Sequence, residues 1–170
     1  AYPDKKIGII NFDAHLDMRP YDNGRTSGTS FKEIMDNDKE VQYAITGFQK
    51  SGNTERLIKT AESFNVLILE EEYPEELVIE ELKNFIEKVD ILYITFCMDV
   101  FEASSAPGVS APVVMGMDPK KGKRLLRFLM RTEKVICVDF AEVNPVYDID
   151  NRTAKLAGCL IYEVMEHIKK

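Results

Sequence analysis

The sequence predicts an α/β protein, three layers (α/β/α) around a mainly parallel, doubly wound sheet. Two observations point there. Apolar runs of strand length, rich in Val, Ile, Phe and Tyr, alternate along the chain with stretches of helical period. The runs are apolar throughout instead of alternating, as strands covered by helices on both faces are. Such a fold has right-handed crossovers and binds ligands beyond the carboxyl ends of its strands.

In chain order, strands are expected at 6–12, 41–47, 65–69, 91–98 and 135–140, and helices at 54–63, 75–89, 119–131 and 153–168. The helix at 75–89 carries Leu77, Glu81, Phe85 and Val89 at four-residue spacing, with Val78, Leu82 and Ile86 one position along. That spacing makes an amphipathic stripe facing a sheet. Two long segments without regular pattern, 17–30 and 99–118, each follow directly on an expected strand. Long loops there are usually functional. Phe31, Phe48 and Phe96 read as core, and Cys137 and Cys159 as structural residues of a strand and a helical stripe.

The length of 170 residues suits one domain. A net charge of −7 argues against a nucleic-acid partner, which needs a basic footprint. The densest acids, Glu70 to Glu72 and Glu75, Glu76, Glu80 and Glu81, read as a solvated helix start. No apolar stretch approaches the ~20 residues of a membrane span. The count of 3 cysteines, without metal-knuckle spacing, favours a reduced, cytoplasmic protein. Opening on Ala1, almost directly on a strand, the chain reads as a piece of something longer.

The sharpest chemical signal is Asp13-Ala14-His15-Leu16-Asp17, which follows the first strand. Extended backbone would aim Asp13, His15 and Asp17 to one side. Carboxylates that close repel, and a divalent cation cancels the repulsion. Mixed oxygen and nitrogen donors suit Mn²⁺, Fe²⁺, Co²⁺ or Zn²⁺. The plain alternative is a polar turn with a solvated or hydrogen-bonded His15. The signal repeats at other strand ends: Thr95, Cys97 and Asp99 share one phase of the fourth strand, and the fifth leads into Glu142.

Asp13 to Asp17, Thr95-Phe96-Cys97-Met98-Asp99 with Ala106-Pro107-Gly108-Val109-Ser110-Ala111-Pro112, and Glu142-Val143-Asn144-Pro145-Val146-Tyr147-Asp148 occur in the order of the ureohydrolase motifs. The chain therefore resembles the superfamily of arginases, agmatinases and formimidoylglutamases. The Ala106 to Pro112 wording and the loop Ser27-Gly28-Thr29-Ser30-Phe31 are most similar to the formimidoylglutamase branch. The resemblance implies an arginase-like fold and a manganese-dependent hydrolase with a binuclear Mn²⁺ centre, in which hydroxide attacks an amidine or guanidine carbon. It implies Asp13, His15, Asp17 and Asp99 as metal ligands, with Asp13 bridging, and Glu142 as partner of the cationic end of a small-molecule substrate. It places Arg19 at the substrate's carboxylate end, followed by Arg25, Ser27 and Thr29. Two arginines there favour a diacid such as N-formimidoyl-L-glutamate, an intermediate of histidine degradation. It also implies a homo-oligomer, a trimer or hexamer.

Two departures stand out. Cys97 replaces an expected bridging Asp, and either touches metal as a soft ligand or packs as a compact apolar residue. The family's further His ligand, in an upstream glycine-rich motif, has no counterpart; the other histidine, His167, ends the last helix. The chain thus resembles the C-terminal portion of a ureohydrolase-like catalytic domain, lacking its opening strands. Alone it is expected to bind metal incompletely and to hydrolyse substrate poorly. An agmatinase-like or guanidino-acid hydrolase, or a non-catalytic metal-binding or assembly fragment, remain the alternatives.

Overall fold

The structure is a computed structural model that describes residues 2 and 4–168. Its five strands are β1 (Ile7–Phe12), β2 (Gln42–Phe48), β3 (Leu67–Glu70), β4 (Ile91–Cys97) and β5 (Val135–Ala141). They form one sheet in the order β3-β2-β1-β4-β5, with every pair parallel. The helices are α1 (Ser30–Asn37), α2 (Glu55–Ser63), α3 (Glu75–Ile86), α4 (Pro119–Met130) and α5 (Arg152–His167).

Strand alternation separates two cores. Ile10, Phe12, Ile94 and Phe96 pack with Val78, Leu82, Leu125, Leu129 and Leu160 of α3, α4 and α5. Ile9, Tyr43 and Ile45 pack with Phe31, Met35 and Ala61 on the α1 and α2 side. The doubly wound, three-layer expectation is met. Local chemistry starts the helices where it should. The Thr54 hydroxyl accepts from Leu57 N, and the Asp118 carboxylate accepts from Lys120 N and Lys121 N with Pro119 in the first turn. Glu163, buried on α5, takes a two-pronged pair from Arg127 of α4 at 2.6 and 2.9 Å. Arg127, followed by Lys123, pulls its carboxyl down to about 2.

Three details differ from expectation. α1 was not anticipated, although Phe31, Ile34 and Met35 have helical spacing and cover β1 and β2. Asp36, Asn37 and Asp38 weaken helix propensity and blur the signal. Cys137 and Cys159 are exposed instead of packed. β5 is an edge strand with a half-exposed burial pattern, and Cys159 lies off the buried stripe of α5 formed by Thr153, Ala157, Leu160 and Glu163.

The chain runs outward from β1 to β3, then returns to the other side of β1 with β4. The turn in strand order therefore falls between β1 and β4. In open parallel sheets the crevice beyond that point is where ligands bind. Gly47, at the end of β2, shapes the same edge: its φ of 91° suits glycine, and a Cβ there would collide with Val100.

Candidate metal centre

Asp13 immediately follows β1, and Asp99 lies in the short 3-10 turn Met98–Val100 that follows β4. Both are buried, at 2% and 4% exposure. The extended continuation of β1 expected from the sequence does not occur, and a bend at Ala14 and His15 does the converging instead. The Asp13 carboxylate accepts from His15 N at 2.7 Å, folding the chain so that His15 Nδ1 lies 3.5 Å from Asp13 Oδ1 and 3.3 Å from Asp99 Oδ2. One ligand atom each from Asp13, His15 and Asp99 lie within 4.8 Å of one another.

The electrostatics are those of crowded, desolvated acid. Burial, then the Asp99 charge, pushes Asp13 up to about 6 against the hydrogen bonds from His15. Asp17 is pushed up to about 7 by burial and by the charges of Asp13 and Asp99. Hydrogen bonds to Asp13 and Asp99 raise His15 to about 10. The His15 proton thus occupies the place of a cation. Asp99 Oδ1, in addition, is a buried acceptor with no partner. A divalent ion would satisfy that atom and displace the proton, since a histidine ligand must be neutral. The donor set fits such an ion.

The remaining expected residues divide. Asp17, Cys97 and Glu142 line one cleft of about 270 Å³ with Asp13, but stand outside the compact three-residue group. Asp17 and Glu142 both have left-handed backbone, φ 49° and 68°, which non-glycine residues keep only where the surroundings enforce it. Glu142 Oε2 accepts from Ser110 Oγ at 2.9 Å. The Cys97 thiol is buried and driven well up, first by burial and then by Asp13 and Asp99, so without metal it is protonated. Ser27 lines the cleft. Arg19 is exposed and packs over Gly28. Arg25 is not brought to the cluster: its guanidinium grips Glu33 of α1 at 2.6 and 2.8 Å. Thr29 is buried and spent on Thr26, accepting from its N–H and donating to its carbonyl. His167 lies at the other end of the sheet beside Val135 and Ile136, its Nδ1 2.9 Å from the Glu163 carbonyl.

Around these, sequence reasoning missed a set of polar supports. Asn11, Tyr43, Tyr93 and Asp139 sit inside apolar runs and so read as strand filler. Thr95 Oγ1 donates to Asp139 at 2.9 Å, and the Tyr93 hydroxyl donates to the same carboxylate. Asn53 pins the turn: its side chain accepts from Leu16 N and donates to the Ala14 carbonyl. Behind Glu142, Gly108 N donates to Thr153 Oγ1, and Asn144 N donates to the Gly108 carbonyl. Asp148 accepts from Thr153 N and Ala154 N, capping α5, with Gly108 pressed too close for any side chain.

The pKa directions have a measurable consequence. Folded Asp13 and Asp17, at about 6 and about 7, hold protons that an unfolded carboxylate at 3.8 has released, so their contribution declines as pH rises through those values. His15 acts in the same sense: its contribution is full below the ordinary 6.5 and lost as pH rises through about 10. The metal-free chain is expected to melt at progressively lower temperature from about pH 5 to about pH 9. Added Mn²⁺ should raise the melting temperature more at the higher pH, because ligands must be deprotonated. Thermal unfolding across that range, with and without Mn²⁺, checks both signs; rising metal-free stability would contradict them.

The chain matches the arginase family over residues 1–166. It is 43% identical over 162 residues to the formimidoylglutamase of Macrococcus caseolyticus, covering 95% of this chain and 52% of that protein. It is 44% identical over 169 residues to that of Geobacillus sp. (strain WCH70), covering 97% and 52%. The structure of Bacillus subtilis formimidoylglutamase superposes with a TM-score of 0.88 at 24% identity, covering 96% of this chain and 53% of that one. Trypanosoma cruzi formiminoglutamase with Mn²⁺ superposes with a TM-score of 0.84 at 22% identity, covering 97% and 58%. These solved structures share its fold. The chain spans about half the length of the curated relatives it matches. With the family match running from the first strand through the last helix, over a sheet whose switch point gathers Asp13, His15 and Asp99, the chain belongs to the arginase family.

Proposed function

We propose that this chain forms the C-terminal part of a manganese-dependent hydrolase that cleaves N-formimidoyl-L-glutamate to L-glutamate and formamide. The observation that carries the reading is the Asp13, His15 and Asp99 group at the sheet's switch point, with a buried, unpartnered Asp99 oxygen. The names of the relatives point to the same substrate, and the Mn²⁺ of the Trypanosoma cruzi structure to the metal. Three free thiols among the described residues suit a reducing, cytoplasmic setting.

Asp13, His15 and Asp99 would hold the metal, with Asp17 and Cys97 lining the same cleft. Mn²⁺, when bound, supplies water activated for attack at neutral pH. Glu142 does the recognition. Its carboxylate, at the cleft wall and steadied by Ser110, offers the negative charge that a cationic amidine needs beside a metal site. Water adds to the amidine carbon, the bond from that carbon to the glutamate nitrogen breaks, and the amine departs carrying a proton. Arg19, exposed and packed over Gly28, would meet a carboxylate of the substrate's other end. Arg25, engaged by Glu33, contributes to this only by holding the loop to α1.

The test is formamide release from N-formimidoyl-L-glutamate, against urea release from agmatine, by the longer protein that carries this chain, supplied with Mn²⁺. Formamide is expected, and urea in its place overturns the substrate. The 170-residue chain alone is expected to bind Mn²⁺ incompletely and to turn over poorly. In the longer protein Arg19→Ala should raise KM with kcat nearly unchanged, by about 1–3 kcal/mol of lost binding. A rise below about threefold would remove Arg19 from the substrate site.

A further inference from the structure

Asn11 is a buried amide in the middle of an apolar strand, 1% exposed between Ile10 and Phe12. A primary amide buried there is unfavourable unless its hydrogen bonds are made. Here both of its N–H groups are used, and in an informative direction. One points to Asp13 Oδ2 at 3.3 Å, the other to the Tyr43 hydroxyl at 3.1 Å. The carboxylate only accepts, which fixes the amide nitrogen towards it. Tyr43, itself 2% exposed, donates its own hydroxyl hydrogen bond to the Leu16 carbonyl at 3.4 Å. The chain of bonds therefore leaves the strand at Asn11, crosses to β2, and returns to the turn that carries His15 and Asp17.

Strand register explains the placement. Asn11 lies on the face of β1 that Asp13 continues, one alternate position behind it, and opposite Thr95 of β4. Thr95 in turn lies opposite Asp139 of β5 and donates to it. One polar row thus runs across three strands directly behind the row that holds Asp13 and Cys97. Any apolar residue of similar size would fill the space at Asn11; only a two-fold donor ties Asp13 and Tyr43 together.

We infer that Asn11, held by Tyr43, is a positioning residue that fixes the Asp13 carboxylate in the orientation required to bind a divalent metal. Asp13 Oδ1 is taken by the His15 backbone N–H and Oδ2 by Asn11, so both oxygens are constrained before any ion arrives. Partners of this kind stand one bond removed from a metal ligand, and their loss weakens metal binding by about tenfold to a hundredfold. The inference rests on the reading of Asp13, His15 and Asp99 as a metal site, and its test separates the two.

Mn²⁺ affinity is measured by calorimetric titration on the longer protein proposed to carry this chain and on its Asn11→Leu, Tyr43→Phe and double variants, with circular dichroism to establish folding. Asn11→Leu is expected to weaken binding by about tenfold to a hundredfold. Tyr43→Phe is expected to weaken it less. The double variant should match Asn11→Leu alone, because Tyr43 acts through Asn11, whereas two independent packing defects would multiply. Unchanged affinity in Asn11→Leu, or multiplying effects, overturns the inference while leaving the metal site intact. If Asn11→Leu does not fold, Tyr43→Phe decides: weakened binding supports the inference and unchanged binding overturns it. Absence of Mn²⁺ binding by the unsubstituted longer protein removes the metal site and this inference with it.

Discussion

Asp99→Asn is expected to weaken Mn²⁺ binding by more than about a hundredfold while leaving the fold in place, since losses at groups one bond removed from the metal already reach that size. Asp99 is 4% exposed at the end of β4, with Oδ2 3.3 Å from His15 Nδ1 and Oδ1 buried without a partner. The amide has nearly the same shape, so packing around Val100 and Phe101 should persist. Its NH₂ group, however, would face Asp13 and His15 in place of an acceptor, removing the charge a cation needs. The metal-free protein should respond in the opposite sense to metal binding. One negative charge leaves a site where Asp13 and Asp17 are already pushed up by crowding, and this relief outweighs the loss of one of the two bonds that raise His15. Calorimetric Mn²⁺ titration together with metal-free melting separates the two effects. Unaltered Mn²⁺ affinity would remove Asp99 from the metal site.

Phe96→Ala is expected to cost about 3–5 kcal/mol of stability. Phe96 is fully buried at the centre of the sheet. Its ring stacks on Phe12 of β1 with centroids 3.9 Å apart, and lies 5.6 Å from Phe140 of β5 and 5.7 Å from Phe101. Register places Phe12, Phe96 and Phe140 directly side by side, so one ladder of rings ties three strands. Truncation leaves a cavity that neighbours fixed in strands cannot close. Set against a typical domain stability of about 5–15 kcal/mol, such a loss should expose an unfolded population near body temperature. Urea unfolding measures it, and a loss under about 1.5 kcal/mol would show that the strands relax into the gap. Cys97 follows Phe96 directly and Asp99 lies three residues on, so Mn²⁺ affinity is expected to fall as well.

The five strands were visible because continuous apolar runs of four to seven residues have few other uses in a chain of this composition. α1 was hidden by the acids and asparagine of its last turn. Asp13, His15 and Asp99 were visible as strand-end residues, but the expected route was wrong in detail. Alternation was meant to align Asp13, His15 and Asp17; instead the Asp13 carboxylate captures the His15 N–H and bends the chain, and Asp17 follows in a left-handed conformation. Arg25 shows the limit of motif reading, since nothing in its neighbourhood announced that Glu33, eight residues on, would bond its guanidinium.

What this chain determined through sequence alone was the alternation of parallel strands and helices and the residue types delivered at strand ends, because both depend on local patterns of two and three to four residues. What only the tertiary structure decided was which of those residues meet. The strand order places β1 beside β4, bringing Asp13 within reach of Asp99 across 86 positions of sequence, and sets Asn11, Tyr43 and Thr95 behind them. Burial does the rest: it drives the carboxyls up, strands one oxygen of Asp99, and so turns a row of acids into a demand for a cation.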